Sequence, residues 1–561
     1  MKLRIYLFLL IMASCLVVKA QGTWNSSSIS TWNYNLNAET GSASTFTPDS
    51  LALVSVGGNG QLVYRKFANE GETNAVNVIP DFSMCGYKKG GVAIPNITEI
   101  KKTLSPLANN ADNTAQIQAA IDEVSGYTAD GNGIRGVILL TAGTYNLSDT
   151  LKISQSGVIL RGEGQGTSGT VLMANKLSKH AFITITGTTT SLGTDVSSNR
   201  IDIADSYVPT GAKSFRLASV SGLSIGSTIV VVRKPNQAWI DTLQMGQYGW
   251  TASGYLMRYE RTITNISSDT ITIDAPIVDA IQTLYGGGYV YLGDAVGRIE
   301  NCGVENMRLV SAYDTNNIED ESHGWQAIRI LSAQNCWVKQ VTAKYFGYSC
   351  VSIGAYSRFN TVEECAMLDP ISITTGGRKY SFELESGITN FNLFQRCYTR
   401  GGRHDFVTGA RVPGPNVFLD GYSEETHADI GPHHRWATGL LFDNIKGGEI
   451  VVQNRGDMGS GHGWAGAQTL FWKCISQIEN IKVESPKGGK NWGIGGSGLR
   501  AGAGFWENHG NPVNPRSLYI SQLKDRLGST AVDQVTTTAQ RSGSIYELLK
   551  TWAGEGALPA Q

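Results

Sequence analysis

The chain has 561 residues and a formal net charge of −1, with 46 Lys and Arg against 47 Asp and Glu. A balance this even excludes a global field steering the protein to nucleic acid or to an anionic membrane. The 66 glycines beside only 15 prolines imply many tight turns in a folded chain, not disorder.

The first residues, MKLRIYLFLLIMASCLVVKAQG, join Lys2 and Arg4 to an apolar run from Ile5 to Val18, with Ala20 before Gln21. This predicts a signal peptide over 1–20 and a secreted or periplasmic protein. The run is too short for a membrane span, and no later stretch is longer. A lipoprotein reading through Cys15 comes second, because the apolar run continues past it. Cys302 to Cys474 provide six cysteines in apolar, strand-like runs without Cys/His metal spacing, so they read as small buried hydrophobes.

Residues 21–75 are rich in Ser, Thr, Asn and Gly and predict a β-rich leader. Residues 76–201 hold DNTAQIQAAIDEV, a helix capped by Asn113 or Thr114 with Ile117, Ile121 and Val124 on one face, and then short strands broken by Gly and Asn. Residues 202–290 alternate apolar and polar residues around the aromatic segment NQAWIDTLQMGQYGWTASGYLMRYER, predicting an inserted antiparallel β subdomain. Its Trp239, Tyr248 and Trp250 either overhang a binding surface or fill the subdomain's own core. Over 291–515, RIENCGVENMRLVSA, SAQNCWVKQVTAKYF, YSRFNTVEECAMLDP, FNLFQRCYTRGG, LLFDNIKGGEIVVQN and TLFWKCISQIENIKVES recur with Asn, Cys or Arg at a bend and alternating apolar residues after it. That recurrence predicts a parallel β-solenoid. In 516–561, SQLKDRLG and SIYELLKTWAG predict short helices that cap its open end.

The DNTAQIQAAIDEV helix, GVILLTAGTYNLSDTLKISQSGVILRGEG and the later coils resemble the pectate-lyase-like, right-handed parallel β-helix proteins over most of 80–500. IPDFSMCGYKKGGVAIP, GRHDFVTG, GPHHRWATG and NRGDMGSGHGWAGAQ are similar to exported bacterial members described as polysaccharide lyases. The resemblance implies an all-β solenoid; it implies an activity less strictly, since the superfamily holds lyases, hydrolases and non-enzymatic spikes.

Five of the eight histidines fall between His404 and His462, among arginines, carboxylates and glycines. Groups that titrate near neutrality beside fixed charges suit proton transfer. In GRHDFVTG, Arg403, His404 and Asp405 sit at a turn, where Asp405 would orient the imidazole. In ADIGPHHRWATG, strand alternation pairs His433 with Arg435 and opposes His434; Arg435 would hold a carboxylate and Trp436 would stack on a pyranose. In QNRGDMGSGHGWAGAQ, glycines leave room for a ligand at Arg455, His462 and Trp464. One coil earlier, Arg378, Tyr380, Glu383 and Glu385 lie in TGGRKYSFELESG. Rungs about 4.8 Å apart bring such segments together.

β-Elimination on a uronic-acid polysaccharide fits these residue types. It needs a cation at the C6 carboxylate, a base for the C5 proton and an acid for the leaving oxygen. His404, His434, Arg435, Tyr380 and His462 are the catalytic candidates, with Arg403, His433, Trp436, Arg455, Arg378 and Trp464 binding an acidic polysaccharide. From 401 to 464, five Lys and Arg face eight Asp and Glu, so the region is not globally basic. Calcium held by Asp405, Asp429 and Glu383 is therefore a further expectation. The alternatives are hydrolysis by paired carboxylates (Asp405 with Asp429 or Glu383) and a non-catalytic glycan-binding β-helix. A monomer is expected.

Overall fold

The structure is a computed structural model that describes residues 52–559. The signal-peptide and Cys15 readings, and the leader up to residue 51, lie outside the described residues. No described helix is long and apolar enough to cross a membrane.

Apolar residues alternating along short strands need a partner strand on each edge and a second layer behind them. The chain meets both needs by coiling. Successive strands pair in parallel, each with the strand one coil on, as in Phe382↔Phe406, Leu393↔Val417 and Tyr398↔Tyr422. The result is a parallel β-helix. Its inward columns stack like on like: Phe394, Phe418 and Phe442 have ring centroids 5.0 Å apart at each step. The Asn positions at the bends stack too, Asn360 donating to Asn392 at 2.9 Å and Asn392 to Asn416 at 3.2 Å. The same Oδ1 atoms accept from bend backbone that would otherwise be buried unpaired, Asn392 from the Asn360 N–H at 3.2 Å and Asn416 from the Asn392 N–H at 3.0 Å. The seven described cysteines are free and buried.

One face carries most of the candidate residues. It is a seven-stranded parallel sheet of β1 (Leu151–Ile153), β2 (His180–Thr186), β3 (Gly324–Leu331), β4 (Ser349–Ile353), β5 (Phe382–Leu384), β6 (Phe406–Thr408) and β7 (Gly431–Pro432). Val351, Phe382 and Phe406 point inward in register; Ser352, Glu383 and Val407, one residue along, point out.

Helix α1 (Thr114–Ser125) buries Ile117, Ala120, Ile121 and Val124 in the main core. Asp112, not Asn113, accepts from the Thr114 N–H at 3.0 Å. Residues 201–292 carry a six-stranded antiparallel sheet with its own core, in which Trp239 and Trp250 are buried.

The C-terminal helices do not sit where an end cap would. Helix α2 (Leu518–Leu527) packs Leu518, Tyr519 and Leu523 on the flank of the solenoid, against Leu393, Val417, Leu441, Leu470 and Trp492. Those five residues form one in-register outward column, an apolar stripe that requires covering. Helix α3 (Ile545–Trp552) covers a second stripe at Ala366, Leu368, Tyr398 and Tyr422. The predicted cap is a lateral strap.

Candidate functional site

At the β7 end of the seven-stranded face, four segments from successive coils bring rings and guanidinium groups together. Tyr380 precedes β5, His404 precedes β6, His433 and His434 follow β7, and Arg455 and His462 belong to the next loop. Ring centroids are 5.1 Å apart for Tyr380 and His404, 4.5 Å for His404 and His433, 5.1 Å for His433 and His462, and 4.7 Å for His434 and His462. Arg455 pairs with Asp429, whose main chain also holds His404.

His404 is the best-defined group. It is fully buried, and its Nδ1 lies 2.6 Å from the Asp429 carbonyl oxygen. A carbonyl only accepts, so Nδ1 carries the proton and Nε2 presents a lone pair. Burial pushes the His404 pKa down to about 4; Asp429 opposes this, while Arg403 and Arg455 add to it. The ring is therefore neutral near pH 7. Burial likewise lowers His433, further depressed by His404 and Arg455, and takes His434 down to about 3 with help from His462 and Arg435. His462 shifts the same way. For Asp429, burial disfavours the charge, but His404 and Arg455 outweigh it and hold the carboxyl below its ordinary value. Burial raises Tyr380 to about 12, with Arg403 beside it opposing, so its hydroxyl keeps its proton.

Six buried polar atoms here have no protein partner: Nε2 of His404, Nδ1 of His433, His434 and His462, and Nε of Arg435 and Arg455. Buried polar atoms are rarely left unpaired, and a group of them marks a place where something polar binds.

The other sequence-predicted residues behave differently. Trp436 is fully buried, donates Nε1–H to Asp279 at 2.9 Å and packs edge-on to Trp239 at 4.8 Å, so it is no sugar platform. Arg435 and Trp436 both take positive φ, which breaks the strand alternation that paired Arg435 with His433. Arg435 reaches instead to Ser460, at 2.7 Å. Asp405 does not orient His404. It turns inward and accepts from Ser381 at 2.7 Å and from Ser423. Arg378 is tied to Glu321, outside the ring cluster, and Trp464 is half-buried against the inserted sheet's core. Arg403 bonds the Gly376 carbonyl and stays beside Tyr380.

The calcium set does not assemble. Asp405 serves serines, Asp429 serves Arg455, and Glu383 accepts from Tyr348 at 2.8 Å and Ser352 at 3.2 Å. Among the described residues no group of three or more His, Cys, Asp or Glu is placed to hold a metal ion.

Sequence reasoning missed two rings. Tyr348 lies 5.2 Å from Tyr380, and Trp325 stacks on Tyr348 at 5.8 Å, continuing the row of rings down the face. The available signal was an aromatic residue at the same place in consecutive coils. Glu385 is held by Arg329 through two bonds of 2.7 Å. Glu383, with no cation of its own, is raised by burial and by Glu385 to about 8.

No family model and no curated protein matches the chain. Solved structures similar to it include ORF18 of Geobacillus virus E2, at 11% identity and a TM-score of 0.36, covering 73% of this chain and 60% of that one. The tailspike of E. coli bacteriophage HK620, in complex with a pentasaccharide, gives 12% and 0.35, with 70% and 54% covered. The tailspike gp49 of Pseudomonas phage LKA1 gives 10% and 0.28, with 71% and 74% covered. The chain thus spans less than two thirds of the first of these proteins. The parallel β-helix stands on this chain's own strand pairing.

Proposed function

We propose that the protein is a polysaccharide lyase that cleaves a uronic-acid-containing chain by β-elimination, as the resemblance to pectate-lyase-like proteins implies. The observation that carries this reading is the single cluster of unpartnered imidazole and guanidinium nitrogens around His404. Arg455 and Arg435 draw charge from the C6 carboxylate, which acidifies the C5 proton. That proton passes to His404 Nε2. The electron pair left on C5 forms the C4–C5 double bond, the C4–O bond breaks, and the leaving oxygen takes a proton from Tyr380 or His462. Among the described residues, the carboxylate that contacts the ring cluster, Asp429, is committed to Arg455.

A second reading has one observation in its favour. On the same face Glu383, pushed up to about 8 by burial and by Glu385, keeps its proton, while Glu385 is ion-paired with Arg329, and a protonated carboxyl near a second one suits glycoside hydrolysis.

One experiment separates them. The mature chain is incubated with polygalacturonate, alginate, glucuronan and chondroitin sulfate. Elimination raises ultraviolet absorbance from the unsaturated uronate, and His404→Ala lowers the rate about 100- to 10,000-fold. New reducing ends without absorbance establish hydrolysis and sink the lyase reading. Binding without any cleavage leaves a glycan-binding β-helix.

A further inference from the structure

The ring cluster lies at the end of a row, and something stands beyond it. Downward, rings continue rung by rung through Tyr380, Tyr348 and Trp325 at centroid spacings of 5.2 and 5.8 Å, close to the ~4.8 Å rung. At the far end Lys179 lies 4.0 Å over Trp325. Lys179 and Arg378 both pair with Glu321 there, so cations stand at that end of the row.

Upward, the row stops. β7 is the edge strand of the sheet, and the chain then folds back on itself between Asn454 and Trp464, which pair antiparallel. The inserted sheet braces this hairpin from behind. Trp250 donates Nε1–H to the Gly461 carbonyl at 3.3 Å. A Cβ on Gly463 would lie 2.5 Å from Met245 Sδ, and one on Gly461 would lie 2.7 Å from the Tyr248 carbonyl, so no passage runs between hairpin and insert. His462 and Arg455 are carried on the wall itself.

Resting on the lyase reading above, we propose that the row from Tyr380 to Trp325 and Lys179 is the binding track for the long arm of an anionic polysaccharide. The braced hairpin 454–464 ends that track, so cleavage falls within a sugar or two of one chain end. The site is then a dead end, not a through-groove, and the enzyme trims chains rather than cutting inside them.

The mature chain is tested on polygalacturonate, alginate, glucuronan and chondroitin sulfate, following viscosity and product length as unsaturated ends accumulate. Mono- or disaccharide products from the first minutes, with viscosity falling only in proportion to sugar released, support the proposal. Early products of many lengths with a rapid drop in viscosity overturn the dead end and leave the lyase reading intact. No unsaturated product from any of the four overturns the lyase reading, and the track with it. Trp325→Ala should lower kcat/KM about tenfold more on the polymer than on a trisaccharide; equal losses on both overturn the track.

Discussion

Protonating His404 is the perturbation that bears most directly on the reaction. Its folded-state pKa of about 4 lies below the ordinary 6.5, mainly through burial. At about 1.4 kcal/mol per unit of pKa, placing a proton on that ring costs the folded protein about 3 kcal/mol. The sign follows from which state takes the proton first. Above pH 6.5 neither state is protonated and stability is whole. Below it the unfolded chain gains a proton that the folded ring refuses, so stability falls with pH, and the full loss is in place below about pH 4. Denaturant unfolding of wild type and His404→Gln at pH 7 and pH 4.5 isolates this one ring from its neighbours: wild type should lose about 2 kcal/mol more. The same pKa sets the acid limb of kcat/KM, since a base that stays neutral remains usable down to about pH 4. An acid limb near pH 6.5, together with parallel stability losses in wild type and variant, refutes the assignment of His404 as a buried neutral base.

Two further predictions concern stability. Glu383 keeps its proton to about pH 8 when folded but loses it near 4.5 when unfolded, so raising the pH between those values erodes stability. Glu383→Gln should therefore unfold at higher denaturant than wild type at pH 8 and at the same denaturant at pH 4; identical midpoints at both refute the buried, protonated carboxyl. Trp436→Ala should cost about 3–5 kcal/mol of stability by emptying the contact with Trp239 and leaving Asp279 only its Arg233 partner. Normal unfolding with weakened glycan binding would restore Trp436 as a sugar platform.

The solenoid was legible because its signal repeats. Asn360, Asn392 and Asn416 recur at bends, inward rings recur on strands, and each coil repeats the message. The grouping of His404, His433, His434, His462, Tyr380 and Arg455 was legible for the same reason, since stacked coils turn sequence intervals into rungs. Orientation was not. Strand alternation assumes extended backbone, and the positive φ at Arg435 and Trp436 reverses it, turning Trp436 into the core. Asp405 beside His404 reads as an orienting pair, yet at the bend before β6 it turns inward to Ser381 and Ser423. The terminal helices read as a lid on an open end because their amphipathic faces do not say which apolar stripe they meet. That partner, Leu393 through Trp492, is scattered over a hundred residues of other coils.

The lateral strap changes how this repeat protein can come apart. In a bare solenoid each coil touches only its neighbours, so the ends fray while the middle holds. Here the tail spans many coils: Ser517 bonds Asp443, Gly554 accepts from Thr342, Glu555 pairs with Arg308, and Gly556 accepts from Gln165. Residues 517–556 therefore lace late windings to early ones. Removing them would loosen windings built hundreds of residues earlier, and stepwise peeling would give way to a single all-or-none collapse.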